Sequence, residues 1–247
     1  MSILLLHARY QFLETIRVPI AILGTLLFPP LFMLLFVVSN PAVGNHPTAA
    51  TFAAGQMAFF AIVSAYMFNL GAGVAEDRAR PWQSYVRTLP AGPVNELGGR
   101  LLNAVALALL SLIPVTLVAA LLTEAHASVG QLAGALVALV LGGLPLLLLG
   151  LAVGYALPLK AAVPVVQLLL FPMAFAGGLF LPPRMFPAWL DALSQALPTR
   201  AGRDLVVGTL TGAPTAATSV LVVLGWTLVC AGAAVFAYRR DEGRRFR

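Results

Sequence analysis

Few residues in this sequence are placed to do bond chemistry. The only adjacent acidic pairs are Glu76-Asp77 and Asp241-Glu242. Clustered carboxylates at the ends of apolar segments could bind Mg²⁺ or activate water for work on a lipid head group. These two pairs stand far apart in the chain, and neighbours such as Glu76 and Asp77 point in divergent directions on a helix. The three histidines, His7, His46 and His126, fall in separate end or loop segments. The single cysteine, Cys230, excludes an internal disulfide and any multi-thiolate metal site. No G-x-x-x-x-G-K-[ST] phosphate loop and no H-E-x-x-H occurs, and Gly98-Gly99-Arg100 is no substitute for the former. We therefore expect no catalytic residues, no metal and no cofactor on this chain, and no ATP hydrolysis by it alone.

The polar residues within apolar runs are Gln56, Asn69, Asn103 and Gln167. No Asp, Glu, Lys or Arg is expected well inside a span. Ion-driven pumps use such charges as relays, so driving energy should enter from outside the bilayer. A pathway for amphipathic or apolar cargo could be lined by Gln56, Phe60, Tyr66, Asn69, Gln167, Phe171, Met173 and Phe175. For each of these, helix packing is the alternative role.

The elements that must position these residues follow from composition. The chain has 247 residues, 60% hydrophobic and 10% charged. A soluble domain carries about 25% charged residues, so lipid must cover much of this surface. A spanning helix needs about 20 apolar residues, and six runs qualify: about 18–38, 52–75, 101–122, 131–157, 161–181 and 215–238. They are continuously apolar, without the alternation of barrel strands. The expected fold is all-α: one polytopic transmembrane domain over 1–247, its first span retained rather than cleaved. Prolines 19, 29, 30, 114, 145, 164 and 172 are tolerable as kinks, because neighbouring helices can satisfy freed carbonyls. Gly150-x-x-x-Gly154 could allow close helix approach.

The net charge is +6. The basic residues flank apolar segments, so they are read as setting membrane orientation rather than binding nucleic acid. With six spans and the N-terminus inside, twelve Arg and Lys residues fall on the inner side. Arg184, Arg200 and Arg203 fall outside. The positive-inside rule then puts both termini in the cytoplasm, and the alanine-rich, lysine-poor make-up points to a high-GC bacterium, so the expected location is a bacterial inner membrane. Ile3, Leu6, Tyr10 and Leu13 line one face of residues 2–17, suggesting an interfacial helix in contact with membrane lipid.

Two segments exceed simple turns. The cytoplasmic loop 76–100 reads EDRARPWQSYVRTLPAGPVNELGGR. Bundle connections usually take about 2–8 residues. An extra short helix presenting Trp82, Tyr85 and Val86 to a soluble partner would explain the length. In the external segment 182–214, Met185, Trp189, Leu193 and Leu197 recur at helical spacing between Pro182-Pro183 and Pro198. This points to a short helix at the outer face.

These features, in their order, resemble the ABC type-2 transporter permease family. Arg17-Val18-Pro19 resembles its Arg-x-Pro entry after an interfacial helix. Ala75-Glu76-Asp77-Arg78 through Leu89-Pro90 to Gly99-Arg100 resembles its loop with a short coupling helix. Arg80-Pro81-Trp82 departs from the family's usual Gly-Thr. Gly177-Gly178-Leu179-Phe180-Leu181-Pro182, then Pro187-x-Trp189-Leu190, Pro198-Thr199 and Arg203 resemble the segment after the fifth span.

The resemblance implies two permease subunits, identical or related, above two ABC ATPase subunits that hold ATP and Mg²⁺. Glu76, Asp77, Arg78, Trp82, Tyr85, Val86, Leu89, Pro90 and Arg100 would couple to the ATPase. Phe180, Pro182, Trp189 and Pro198 would form an external gate. The expected function is export of a small amphipathic drug-like or lipid-like substrate. The rivals are a membrane-embedded lipid-modifying enzyme, a non-transporting assembly protein and a secondary transporter.

Overall fold

The computed structural model describes residues 10, 12–13, 19–80 and 93–244, with side chains over 10, 12–13, 26–80 and 97–242. Trp82, Tyr85, Val86, Leu89 and Pro90 lie outside the described residues, as does most of the segment 2–17.

Every described element is helical. Helix α1 spans Pro19–Met33 and runs on as a π-helical turn, Leu34–Val38. A short α2, Pro41–Gly44, is capped by the Asn40 side chain, which accepts from the Ala42 amide. Helix α3, Pro47–Ala79, is interrupted by a π-helical stretch, Met67–Ala72. Helix α4 is Pro93–Leu122. Helix α5, Val129–Ala156, starts on a reciprocal cap between Ser128 and Gln131. Helix α6 is Leu159–Ala176, α7 is Ala188–Gln195, α8 is Pro198–Thr211 and α9 is Ala217–Arg244.

Helices α3, α4, α5, α6 and α9 are long and apolar enough to cross a bilayer. In the run read as the first span, Leu26–Val38 forms a shorter apolar helix. Helix is the form expected of such runs, since hydrocarbon leaves no other partner for the backbone. Helix α3 is the buried axis, α5 packs closely on it, and α4, α6 and α9 leave most of their surface exposed.

Helix bounds differ from the apolar runs for local reasons. Helix α3 continues through Glu76-Asp77-Arg78 to Ala79, because these charges are paired, Asp77 and Arg78 with neighbouring helices and Glu76 with Arg80, rather than left in hydrocarbon. Helix α6 stops at Ala176, although the apolar run continues to Leu181. Gly177 caps it, and Gly178 turns the chain with φ 77°, a conformation suited to glycine.

Two glycine contacts set the packing. A Cβ on Gly150 would lie 3.0 Å from the Tyr66 carbonyl, and one on Gly154 would run into the Leu70 carbonyl and lie 2.8 Å from Val74 Cβ. The Gly150/Gly154 pair therefore seats the π-helical stretch of α3 against α5. On α8, Gly202 crosses Gly142 of α5, where an added Cβ would lie 3.0 Å from the Gly202 Cα.

That crossing places α8 alongside α5 rather than at its rim. Gln56 lies nine residues into α3, and its Nε2 donates to the Gly178 carbonyl at 2.7 Å. Trp226 lies nine residues into α9, and its Nε1 donates to the Ala196 carbonyl at 2.8 Å. These two bonds tie the ends of the segment 178–196 to α3 and α9. The short helix expected between Pro183 and Pro198 is present as α7, with Met185, Trp189 and Leu193 exposed.

Candidate functional site

One end of the bundle gathers the finish of α3, α5 and α9 and carries Arg78, Arg80, Arg100, Lys160, Arg239 and Arg240. There, the Arg78 guanidinium joins three helices. Its Nε donates to Asp241 Oδ1 at 3.1 Å, and its Nη2 closes the ion pair on the same oxygen. Its Nη1 donates to the carbonyls of Gly154 at 2.8 Å and Leu157 at 3.1 Å. Carbonyls at a helix C-terminus lack intrahelical partners, and a cation there also meets the negative end of the helix dipole. Arg78 thus caps α5 while holding α9. The Arg78 side chain is 18% exposed and that of Asp241 is 4% exposed.

Aromatic rings close the same node. The guanidinium carbon of Arg78 lies 5.9 Å from the Tyr155 ring centre. Tyr155 meets Tyr238 edge-on at 5.1 Å, and the Tyr238 hydroxyl donates to Glu242 Oε1 at 2.8 Å. Beside it, Arg100 Nη1 donates to Asp77 Oδ2 at 2.6 Å, joining α3 to α4. Arg80 reaches Glu76 at 3.2 Å and Asp77 at 3.6 Å. Glu76, Asp77, Asp241 and Glu242 are each held by arginine or tyrosine, and two of these contacts, Asp77–Arg100 and Arg78–Asp241, join separate helices.

A second region lies toward the other end. Phe180 packs on Phe32, Phe60 and Phe175 with ring centres 5.0, 4.8 and 4.7 Å apart, and Phe171 lies 6.4 Å from Phe60. The Thr199 hydroxyl donates to the Met173 carbonyl at 2.6 Å, linking α8 to α6. Nearby, Arg200 bonds Asp204 at 2.9 Å and Ser194 at 3.2 Å. Arg203 is 3% exposed, pairs with Asp204, and stacks its guanidinium 4.7 Å from the Phe52 ring. Burial pulls the Arg203 guanidinium below its ordinary range, while Asp204 opposes that shift.

A sequence profile of the ABC-2 type transporter family matches residues 4–211. The chain belongs to the ABC-2 type transporter family. It is also 22% identical over 181 residues to YvfS of Bacillus subtilis (strain 168), covering 72% of this chain and 73% of that one. The name of that relative marks it as a candidate transport permease. Family membership and the apolar helices together make this chain a multi-pass membrane protein and a transporter permease.

Within this ABC-2 permease the residues read from sequence separate into groups. Glu76, Asp77, Arg78 and Arg100 come together at the Arg-rich end. Of the suggested pathway, Gln56, Phe60 and Tyr66 are buried inside the bundle. Asn69 is half-buried, and its amide donates back to the Ala65 carbonyl at 2.8 Å. Phe171 and Met173 are half-buried, while Gln167 and Phe175 are exposed on α6. Of the suggested gate, Phe180 and Pro198 are buried, Pro182 is half-buried and Trp189 is exposed.

Sequence reasoning missed Tyr155, Tyr238 and the Arg78–Asp241 pair, and it placed Arg203 in an external loop. One signal was present: an acidic pair standing amid the arginines that end the last helix.

Proposed function

We propose that this permease is the membrane subunit of an ATP-driven exporter, powered by an ABC ATPase on a separate chain. The carrying observation is the charge architecture at the Arg-rich end. Asp77–Arg100 and Arg78–Asp241 brace the two helices that flank the segment 81–92, where a partner would push. ABC-2 permeases work with an ABC ATPase, and this chain has no phosphate loop of its own.

In this reading the Arg-rich end faces the cytoplasm of a bacterium, with α1 completing six spans and both termini inside. Two copies, or this chain and a related one, form the pathway above two ATPase subunits carrying ATP and Mg²⁺. Residues 81–92, with Trp82, Tyr85, Val86, Leu89 and Pro90, form the docking element. The exposed side chains of α6, Gln167 and Phe175, with half-buried Asn69, Phe171 and Met173, supply the wall that cargo meets. A small amphipathic drug-like or lipid-like molecule suits that wall. The segment around Phe180, Pro182, Trp189 and Pro198 gates release.

Purification of the tagged chain from its native membrane tests this. An ATPase with a phosphate-binding loop should co-purify, and ATP hydrolysis should require it. Stoichiometric ATP turnover by the lone chain would overturn the division of labour. Turnover of a lipid without any ATPase would favour the enzyme reading.

A further inference from the structure

Arg78 and Asp241 lie 163 residues apart in sequence, yet their contact makes a polar link between α3 and α9 at the Arg-rich end. The guanidinium is a rigid fork that can serve two partners at once. Here one side of the fork grips Asp241 and the other holds the Gly154 and Leu157 carbonyls. Tyr155 lies against the same group, and Tyr238 and Glu242 stand behind it. Arg78 therefore needs Asp241 to keep the pose in which it also caps α5. Helix α6 meets α3 differently: toward this end the contact is apolar, Val166 seated against Gly71, and the polar tie, Gln56 to the Gly178 carbonyl, lies beyond the far end of α6.

We propose that Asp241 is a positioning residue for transport. It holds Arg78 so that α3, α5 and α9 move as one unit when force enters after Ala79, while α6 moves against them. The force step rests on the exporter reading above; the unit itself does not.

Pulsed spin-label distances test both parts. Cys230→Ala removes the native thiol. Ala79→Cys with Arg239→Cys reports α3 against α9, and Ala79→Cys with Leu168→Cys reports α3 against α6; all three labelled positions are exposed. In the lone chain in lipid nanodiscs, the α3–α9 distribution is narrow in the parent and in Asp241→Glu. It broadens in Asp241→Asn. If Asp241→Asn does not fold, Arg78→Lys, which keeps the charge but loses the fork, should broaden it instead. A distribution that stays narrow in the variant overturns the proposal.

In the complex with its ATPase, ATP and vanadate should shift the α3–α6 distance and leave α3–α9 unmoved. In Asp241→Asn the α3–α9 distance should shift as well, and ATP hydrolysis should continue with loss of transport. A nucleotide-driven α3–α9 shift in the parent overturns the proposal. If no ATPase co-purifies, or nucleotide moves neither pair, the exporter reading fails. The lone-chain comparison still decides the unit: broadening supports it and a narrow distribution refutes it.

Discussion

Asp77 and Arg100 meet at 2.6 Å, and in doing so they join the last turn of α3 to α4 on either side of the segment 81–92. Arg100 is 7% exposed, so the pair is shielded from water on the arginine side. Hydrogen bonds to charged groups contribute about 1.5–3 kcal/mol. Asp77→Asn should lower thermal stability by an amount in that range and reduce the yield of co-purified ATPase. Both can be read from heated size-exclusion profiles and from pull-down yields at matched expression. A variant that retains full ATPase association would place the docking force elsewhere.

Glycine substitutions should divide by position. Gly154→Ala drives a methyl into the Leu70 carbonyl and Val74. Overpacking of this kind costs about 1–3 kcal/mol. Gly225 and Gly232 on α9 have open space around an added Cβ. Glycine in a helix interior is about 0.8–1 kcal/mol worse than alanine, so Gly225→Ala and Gly232→Ala should be neutral or stabilising. Melting temperatures of the three variants in one detergent check the ordering.

Arg203 and Asp204 should respond asymmetrically. Arg203 is 3% exposed, whereas the Asp204 side chain is 34% exposed and is also held by Arg200. Removing Asp204 strands a buried cation, and losses of about 3–5 kcal/mol accompany that kind of change. Arg203→Met leaves Asp204 with Arg200 and a partly wet surface, and should cost less. The prediction fails if Arg203→Met proves the more destabilised in thermal unfolding.

Trp189 should matter for transport and not for folding. It is 69% exposed on α7, in the segment whose ends are tied to α3 and α9. Substitutions away from packed or paired groups stay within about 0.5 kcal/mol. Trp189→Ala should leave melting unchanged and lower export of a fluorescent amphipathic dye from cells. Unchanged efflux alongside unchanged melting would remove this face from the gate.

Much of the membrane architecture was readable from hydropathy, because long apolar stretches have few alternatives to helix in lipid. The stop of α6 at Ala176 was not readable from hydropathy. It depends on Gly178 adopting a left-handed turn whose carbonyl meets Gln56. At the candidate site, Glu76, Asp77, Arg78 and Arg100 were legible as a charge cluster at the ends of apolar runs. Asp241 was legible only as an acidic residue, because nothing local to it says that Arg78 is its partner. Arg203 misled for a related reason. An arginine among prolines and polar residues reads as exposed, and its burial comes from packing of its helix on α5 at Gly142–Gly202 and on Phe52 and Phe59 of α3.

The sequence by itself determined that this chain lives in a membrane, where helices run, and that its charges collect at segment ends. Those properties follow from the cost of placing each residue in hydrocarbon, which each segment carries on its own. Only the tertiary structure decided which charges pair and which glycines let helices touch. Such contacts depend on residues far apart in sequence arriving at one place, and no local pattern encodes that meeting.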